Sequence, residues 1–300
     1  MIVNPAAGGG RAGRLAPSVE QTLASHGLRV RRVDTRHLDH ARELAAEAAG
    51  NGEMVVALSG DGMIGALAHV LRGVPDSLLG VLPGGRGNDL ARVLGIPEDP
   101  LAACAVIAHG TPRAIDLGEV EGQAFVGIAS AGFDSDANRI ANQAPSRLGN
   151  LVYAYGALRA LISWRPARFE VHLHGGAAGD GASGSADRHL SLSGYTIAAA
   201  NSGVYGGGMR LAPHARLDDG LLDIVAIEQV SKLRFLANLP KVFKGTHVRL
   251  PSVKVFQAAE VTISADRPFT LYADGDPIAE LPARICALPG AVRVLVPGAP

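Results

Sequence analysis

Three glycine-rich segments carry residue types that suit phosphate binding. We call them the first, second and third glycine loops: residues 4–10 (NPAAGGG), 59–63 (SGDGM) and 83–89 (PGGRGND). The second and third each follow an apolar run with the character of a buried strand and precede a helical pattern. The first follows a short strand, Ile2-Val3, and by itself is either a phosphate-facing or adenine-side loop or an ordinary βα turn. Glycines between a strand and a helix N-terminus let backbone N–H groups approach an anion closely. The sequence therefore predicts that these loops bind the phosphates of a nucleotide.

Three aspartates accompany these loops. Asp61 lies in the second loop, Asp89 in the third, and Asp116 ends a later predicted strand. A carboxylate suits a phosphate site when it holds a cation, a water or the loop itself, and oxygen ligands suit Mg²⁺. We therefore predict a carboxylate cluster that orients Mg²⁺. Taken singly, Asp61 and Asp89 could instead be turn or helix caps, and an aspartate in the position of Asp116 is more often a cap.

Two acidic turns stand further along the chain. Residues 274–277 (DGDP) have the pattern of a two-residue hairpin turn, and residues 217–221 (LDDGL) also contain an Asp-Gly pair. In the first, Asp274 and Asp276 are either solvated turn residues or a general base with a metal contact. The second is either a turn or a divalent-ion loop built from a carboxylate and carbonyls. The residues alone leave both questions open.

The composition excludes several classes of protein. The 28 basic and 28 acidic residues give a formal net charge of zero, which argues against a nucleic-acid partner. Two cysteines and histidines without paired-ligand spacing argue against a disulfide framework and a zinc site. No signal-peptide pattern or 18-residue apolar run is present. These features predict a cytoplasmic protein.

The pattern of elements changes near residue 118. Before it, strands alternate with helices, which predicts an α/β domain with a parallel sheet. After it, most strands are joined by turns, which predicts a mainly antiparallel β-rich domain packed against the first across a cleft. Predictions that the structure can test include strands at residues 28–33, 113–117 and 125–129, and helices at residues 147–163 and 231–243.

Taken in order, the motifs resemble those of the bacterial diacylglycerol kinase and sphingosine kinase family of soluble lipid kinases. The family order is NPxxGxG, GGDGT, PLGTGND, Asp-x-Gly, GGG with a downstream Ala-Pro, DDGLLD and DGE. The match runs nearly the whole length, whereas GGDG alone also resembles NAD kinases and phosphofructokinases. The corresponding segments here are residues 4–10, 59–63, 83–89, 116–118, 206–213, 218–223 and 274–277.

The resemblance implies a fold as well as an activity. It implies an N-terminal α/β domain of the NAD kinase and diacylglycerol kinase type, residues 1–117, that binds nucleotide through a parallel sheet. Residues 118–289 would form the antiparallel, β-rich lipid-substrate domain. Residues from about 290 to 300 would return to the first domain, and ATP would lie in the cleft between the two.

The resemblance also implies roles for individual residues, and Asp276 would be the general base with Asp274 beside it. The catalytic Mg²⁺ network would comprise Asp61, Asp89 and Asp116. A structural Mg²⁺ would be held by Arg216, Asp219 and Leu221. The ATP site would be lined by Asn4, Pro5, Ala6, Ala7, Gly8, Thr35, Ser59, Gly60, Asp61, Gly62, Met63, Gly65 and Arg86.

Several positions depart from the family's motifs. The substitutions are Ser59 for Gly, Met63 for Thr, Gly65 and Ala66 for Asn-Glu, Arg86 for Thr, and Asp276 for Glu. They remove two hydroxyls and an amide near the phosphates. Arg86 offers a guanidinium in return, and this group matches phosphate geometry.

The implied reaction is ATP-dependent phosphorylation of a lipid hydroxyl, foremost diacylglycerol to phosphatidic acid in phospholipid biosynthesis. Two alternatives remain open. One is a kinase for a sphingoid base, a monoacylglycerol or NAD; the other is a nucleotide-binding regulatory protein that has lost catalysis. The implied cofactors are ATP and Mg²⁺. The implied partner is a lipid at the membrane surface, reached by transient peripheral association, and the chain could also pair as a homodimer.

Overall fold

The structure is a computed structural model that describes residues 1–143, 156, 159–162, 164–175 and 187–298. The predicted helix at residues 147–163 falls mostly outside these ranges. A mixed sheet of fifteen strands runs through the described part of the chain. None of the helices described is long and apolar enough to cross a membrane.

Helices pack against the sheet, and three of them begin within the glycine loops, at Ala7, Asp61 and Asp89. In α2, Ala41, Ala45 and Ala48 are buried at a spacing of three and four residues, so one face of the helix packs on the sheet. The helices described are α1 Ala7–Ser25, α2 Leu38–Gly50, α3 Asp61–Leu71, α4 Asp89–Val93, α5 Pro100–His109, α6 Phe133–Gln143 and α7 Lys232–Phe243.

The N-terminal strands form the predicted parallel sheet in the order β4-β3-β1-β2. Every residue of β3 and β4 is buried, as expected for strands covered on both faces. Because parallel strands end at one edge of the sheet, the three glycine loops that follow β1, β3 and β4 lie at the same edge. These strands are β1 Ile2–Val3, β2 Val33–Asp34, β3 Val55–Ser59 and β4 Leu79–Pro83.

Two strand predictions in this half are wrong in part. The strand expected at residues 28–33 is reduced to β2, because only Val33 and Asp34 pair with β1. The strand expected at residues 113–117 is present as β5 Thr111–Val120, but it does not extend the parallel sheet. It lies antiparallel to β15 Ala283–Val296, and β15 occupies the place beside β4 through Val294.

The C-terminal strands pair antiparallel with one another, as predicted. The single strand expected at residues 125–129 is wrong. It divides into two strands because Val126 and Gly127 leave the ladder and donate their N–H groups to Asp274. The strands are β6 Gln123–Phe125, β7 Ile128–Gly132, β8 Ala167–His174, β9 Arg188–Ala200, β10 Leu222–Glu228, β11 Val253–Ala258, β12 Glu260–Ala265, β13 Thr270–Ala273 and β14 Asp276–Glu280.

Strand β15 links two large apolar cores. Its first half contributes Ala283 and Ile285 to the core of the antiparallel half, together with the aromatic rings of that half. Its second half contributes Val292 and Val294 to the core beneath the parallel sheet. Because one continuous strand belongs to both cores, the edge with the glycine loops is held against the antiparallel half.

Candidate active site

The three glycine loops touch through their backbones. A Cβ atom on Gly8 would lie 2.5 Å from the carbonyl oxygen of Gly84, and a Cβ atom on Gly85 would overlap the Cα atom of Gly60. No side chain fits either contact, so these positions require glycine. The loops therefore form one continuous surface of backbone groups.

The first loop is shaped by Asn4 and by glycines of positive φ. Asn4 Oδ1 accepts the N–H of Ala6 at 3.1 Å, and Gly8, Gly9 and Gly10 have φ of 61, 66 and 86°. The backbone can therefore wind tightly into α1. On the adjacent strand, the N–H of Thr35 donates to the carbonyl of Val3 at 2.7 Å, which places Thr35 near this loop.

The side chains predicted for the ATP site differ in exposure. Ser59 and Met63 are 1% and 5% exposed, so only their backbone groups are positioned to line an open site. Arg86, at the tip of the third loop, is exposed. Its guanidinium makes no hydrogen bond or ion pair within the described ranges, so it is free to meet a ligand.

Asp61 ties the second glycine loop to the third. Its Oδ2 accepts the N–H of Asp89 at 3.0 Å, and its Oδ1 accepts the N–H of Leu90 at 3.1 Å. Asp61 is the first residue of α3, and the two N–H groups belong to the first turn of α4. One carboxylate thus caps a neighbouring helix and fixes the distance between the loops.

Asp89 is 8% exposed and lies among charged and backbone groups. Its Oδ1 pairs with Arg92 Nη1 at 2.7 Å, and its Oδ2 accepts the N–H of Gly207 at 2.9 Å. Burial raises the pKa of Asp89, and the nearby charge of Asp61 raises it further. The two carboxylates therefore repel each other in a partly desolvated place.

The acidic hairpin, which we define as β13 and β14 with their turn, is held by Asp274. Asp274 and Gly275 form the two-residue turn, with φ of 52 and 95°. Asp274 accepts the N–H of Val126 at Oδ2 and that of Gly127 at Oδ1, both at 2.9 Å. Burial raises the pKa of Asp274 to about 7, with a further contribution from the charge of Asp61.

The acidic hairpin lies against the first turns of α3. A Cβ atom on Gly62 would be 3.2 Å from Asp276 Oδ2, and one on Gly65 would be 3.2 Å from Asp274 Oδ2. The structure thus brings both carboxylates beside the helix that begins at Asp61. Partial desolvation raises the pKa of Asp276. The close approach also explains why glycine replaces a larger residue at position 65.

Asp116 has a different environment. It is 3% exposed; its Oδ2 accepts the N–H of Gly220 and its Oδ1 that of Gly290, both at 2.7 Å. These bonds join the second acidic turn to β15. Within the part of the chain that the structure describes, Asp116 makes no hydrogen bond to Asp61 or Asp89. Both of its oxygens are instead occupied by backbone N–H groups.

The second acidic turn contains the residues expected around a structural Mg²⁺. Arg216 Nε donates to Asp218 Oδ1 at 3.1 Å, and Asp219 Oδ1 accepts the N–H of Leu221 at 3.1 Å. Sequence reasoning missed Asp223, the last residue of the DDGLLD segment. Burial raises the pKa of Asp223 to about 6, and the charge of Asp219 adds to this effect.

Comparison with known proteins decides the family. The diacylglycerol kinase catalytic domain matches residues 1–120, and the YegS C-terminal NAD kinase beta sandwich-like domain matches residues 127–296. A diacylglycerol kinase of Mycobacterium tuberculosis is 34% identical over 303 residues, covering 99% of this chain and 94% of that protein. The chain belongs to the diacylglycerol kinase family of bacterial lipid kinases.

Other relatives agree with this assignment. The diacylglycerol kinase of Bacillus subtilis is 29% identical over 248 residues, covering 82% of this chain and 78% of that protein. A crystal structure of a diacylglycerol kinase from Bacillus anthracis superposes with a TM-score of 0.73 at 19% identity, covering 98% of this chain and 95% of that one. The predicted family and fold class are therefore confirmed.

The carboxylates of this lipid kinase suit a cation that arrives with a nucleotide. The Oδ2 atoms of Asp61 and Asp89 lie 3.1 and 3.3 Å from the place of a Cβ atom on Gly87, so both face one point. Mg²⁺ usually takes one or two carboxylates and completes its shell with phosphate and water oxygens. The described ranges contain no group of three or more acidic, His or Cys side chains that could hold a metal unaided. Asp61 and Asp89 therefore fit Mg²⁺ held jointly with phosphates.

Several groups at this site of the lipid kinase escaped sequence reasoning. Arg92 follows Asp89 by three residues, so helical spacing could have indicated the ion pair. The glycines at residues 206–208 indicated a close backbone approach, but nothing local shows that Gly207 binds Asp89. The N–H groups of Val126 and Gly127 that hold Asp274 leave no sequence signal either, because backbone groups are common to all residues.

A cavity of about 270 Å³ opens beside the acidic hairpin. It lies between α6 and β13, and Tyr272 in its wall is two residues before Asp274. Its lining is mixed, with charged, hydroxyl and aromatic side chains. The lining residues are Ser135, Asp136, Arg267, Pro268, Phe269, Thr270, Tyr272 and Glu280.

Proposed function

We propose that this lipid kinase transfers the γ-phosphate of Mg-ATP to the hydroxyl of a lipid, foremost diacylglycerol, and forms phosphatidic acid. The bond between the γ-phosphorus and its bridging oxygen breaks, a bond to the lipid oxygen forms, ADP leaves, and the hydroxyl proton passes to a carboxylate. The observation that carries this proposal is the placement of the acidic hairpin against α3, beside the glycine loops.

We assign nucleotide binding to the glycine loops and to residues beside them. Backbone N–H groups of the loops would donate to phosphate oxygens, and Thr35 would lie at the nucleoside side. Arg86 would reach the phosphates, because its guanidinium is exposed and unpaired within the described residues. Asp61 and Asp89 would hold Mg²⁺ together with phosphate oxygens, and Mg²⁺ would neutralise charge on the transferred group.

We assign proton removal to Asp276 and positioning to Asp274. Asp276 makes no side-chain hydrogen bond within the described ranges, so its oxygens are free to accept a proton. Its raised pKa makes it a stronger base than an ordinary aspartate. Both oxygens of Asp274, by contrast, are occupied by backbone N–H groups. Asp274 would thus fix the hairpin that presents Asp276 to the acceptor.

The remaining assignments concern support of this site. Asp116 would contribute to the Mg²⁺ network by anchoring the second acidic turn to β15. A structural Mg²⁺ would be held by Arg216, Asp219 and Leu221, two of them through carbonyl oxygens. The neighbouring charges of Asp219 and Asp223 support a cation there, because their repulsion would be relieved.

The proposed division of labour follows the two halves of the chain. Residues 1–117, with the returning residues 290–300, would form the nucleotide-binding domain. Residues 118–289 would form the lipid-substrate domain, and the cavity beside Tyr272 would receive part of the acceptor. The lipid would be reached from the cytoplasm by transient association with the membrane surface.

The test is transfer of labelled phosphate from Mg-ATP to a panel of acceptors: diacylglycerol, monoacylglycerol, sphingosine and NAD. We expect labelled phosphatidic acid, and loss of the product on removing Mg²⁺ with a chelator. Label on another acceptor alone would replace the proposed substrate. Nucleotide binding without transfer to any acceptor would instead support a regulatory protein.

A further inference from the structure

Helix α7 carries an exposed apolar face. Leu233, Leu236 and Phe243 are 81%, 37% and 55% exposed, which is half of the six large apolar side chains exposed in the described residues. A fourth, Ile162, is 74% exposed, and its carbonyl accepts a hydrogen bond from Lys232 Nζ at 2.8 Å. Soluble surfaces rarely gather such side chains without a partner.

The helix is firmly seated in spite of this exposure. On its inner face, Phe235 and Val242 are buried, and the Phe235 ring stacks on Tyr195 with 4.2 Å between ring centroids. Ser231 Oγ caps its N-terminus by accepting the N–H of Arg234 at 3.3 Å. Because Phe235 and Val242 hold the inner face, the outward apolar side chains are a feature of the folded surface.

Acidic residues are absent from the chain segment that contains α7, so its charged side chains are all basic. All four lysines of the chain fall within residues 232–254, and no Asp or Glu occurs between Glu228 and Glu260. Arg supplies all the other basic residues of the chain, and the whole molecule has zero formal charge. Lys232, Lys241 and Lys244 are exposed on or next to the helix. A helix with an apolar stripe among lysines is typical of an element that lies in a membrane interface.

We propose that α7 docks this kinase on the surface of an anionic phospholipid bilayer. We define the docking face as Lys232, Leu233, Leu236, Lys241, Phe243 and Lys244. Its apolar side chains would enter the region between headgroups and acyl chains. Lys241 and Lys244 would extend their ammonium groups to the lipid phosphates, and Lys232 would add its charge beside Ile162.

The docking face is connected to the active site. The N–H of Arg210 donates to the carbonyl of Val242, near the end of α7, at 3.1 Å. In the same glycine-rich segment, Gly207 donates to Asp89. One short segment therefore contacts both the helix and a carboxylate of the phosphate site. The inference deepens the proposed function, since it names the surface through which a lipid kinase would meet its acceptor.

The binding test uses the full chain and sedimentation with vesicles, without nucleotide. Vesicles of phosphatidylcholine alone are compared with vesicles containing roughly one third phosphatidylglycerol. We expect binding to the anionic vesicles that weakens with salt. The affinity of the Lys241→Gln/Lys244→Gln variant for these vesicles should fall about fivefold for each lysine removed. The affinity of the Leu233→Ser/Phe243→Ser variant should fall tenfold or more, because two apolar side chains no longer enter the bilayer.

Matched controls lie in the other half of the molecule. Arg29→Gln/Arg36→Gln removes two exposed charges. Leu38→Ser removes an exposed apolar side chain at the first residue of α2. Both should bind vesicles like the parent chain. An equal loss in the control variants, no vesicle binding by the parent chain, or a self-association that Leu233→Ser abolishes would each overturn the proposal. The lysine variant alters only exposed side chains, so its result stands even where the apolar variant fails to fold.

A second measurement separates docking from catalysis. The rate of the Lys241→Gln/Lys244→Gln variant should fall on diacylglycerol embedded in anionic vesicles and stay unchanged on a short-chain, monomeric diacylglycerol. Equal losses on both substrates would contradict docking. If the protein binds vesicles through α7 but transfers no phosphate to any acceptor, the docking proposal stands and the proposed function is refuted.

Discussion

The aspartates around the cleft and Asp116, which holds the second acidic turn, use the same side chain for different purposes. In the cleft, Asp61 lies near both Asp89 and Asp274, and its charge helps to raise the pKa of each. At the second turn, Asp116 has one backbone N–H on each oxygen. Hydrogen bonds occupy both oxygens of Asp61, Asp89 and Asp274 as well, so the difference lies in their neighbouring carboxylates, and such crowding is typical of reactive sites.

The difference has an energetic meaning. Crowding of carboxylates disfavours their charged forms, so the cleft is less stable than it would be with neutral residues. A bound cation, or a proton taken up from the substrate, reduces the repulsion among these carboxylates. At Asp116, the two hydrogen bonds join the second acidic turn to β15, so its loss would leave two backbone N–H groups without their acceptor. We therefore expect variants in the cleft to affect turnover and variants at Asp116 to affect stability.

The largest expected effect comes from Asp276→Ala. Loss of the proposed base should lower kcat by about 100- to 10,000-fold, measured as phosphate transfer to diacylglycerol. The thermal midpoint should hardly change, because Asp276 is exposed. Asp276→Glu should restore much of the rate. Asp266→Ala, an exposed aspartate at the preceding turn, is the matched control, and full activity of Asp276→Ala would refute the assignment.

Next in size is the effect of Asp116→Ala on stability. The N–H groups of Gly220 and Gly290 would lose a charged acceptor, so the free energy of unfolding should fall by about 3 kcal/mol. Denaturant unfolding measures it, with Asp266→Ala again as the reference. A stable Asp116→Ala protein without activity would show that Asp116 acts in the reaction itself, and the contrast between the two regions would then disappear.

A smaller effect is expected from Gly65→Ala. The new Cβ atom would lie 3.2 Å from Asp274 Oδ2, so the acidic hairpin must shift by a few tenths of an ångström. Turnover should fall about tenfold because the base is displaced, while alanine inside α3 should favour the helix by up to about 1 kcal/mol. Gly50→Ala, which meets nothing within 4 Å, should leave turnover unchanged. Unchanged turnover in Gly65→Ala would contradict the hairpin's role.

The smallest expected effect is the change that Asp61→Asn makes in the pH dependence of stability. The pKa of Asp274 is raised to about 7, so between about pH 4 and 7 the folded chain binds more protons at this group than the unfolded chain. Its contribution to the free energy of unfolding therefore decreases as pH rises through that range. Asp61→Asn removes one cause of the raised pKa, so the decrease should become less steep. Unfolding curves at several pH values measure both slopes, and identical slopes would show that Asp61 does not act on Asp274.

Much of the fold could be predicted because its signals are local. Buried apolar runs followed by glycines indicated β3, β4 and their loops, and the Asp-Gly pair indicated the turn at Asp274 and Gly275. The site was harder to predict. The role of Gly65 depends on an oxygen of Asp274, and the division of the strand near Val126 depends on the same carboxylate. Contacts between groups so distant along the chain leave no trace in local periodicity.

The sequence by itself determined the glycine loops, most of the strands and helices and, through the order of its motifs, the family. The loops and elements can be predicted locally because φ preferences and apolar spacing act within a few residues. Only the tertiary structure decided that β15 lies between β4 and β5, and that Asp276 faces Gly62 while Asp116 holds Gly220 and Gly290. The reason is that several strands and turns have equal local propensity to pair, and contacts between distant parts of the chain select one partner among them. They do so through packing and hydrogen bonding that exist only once the whole sheet has formed.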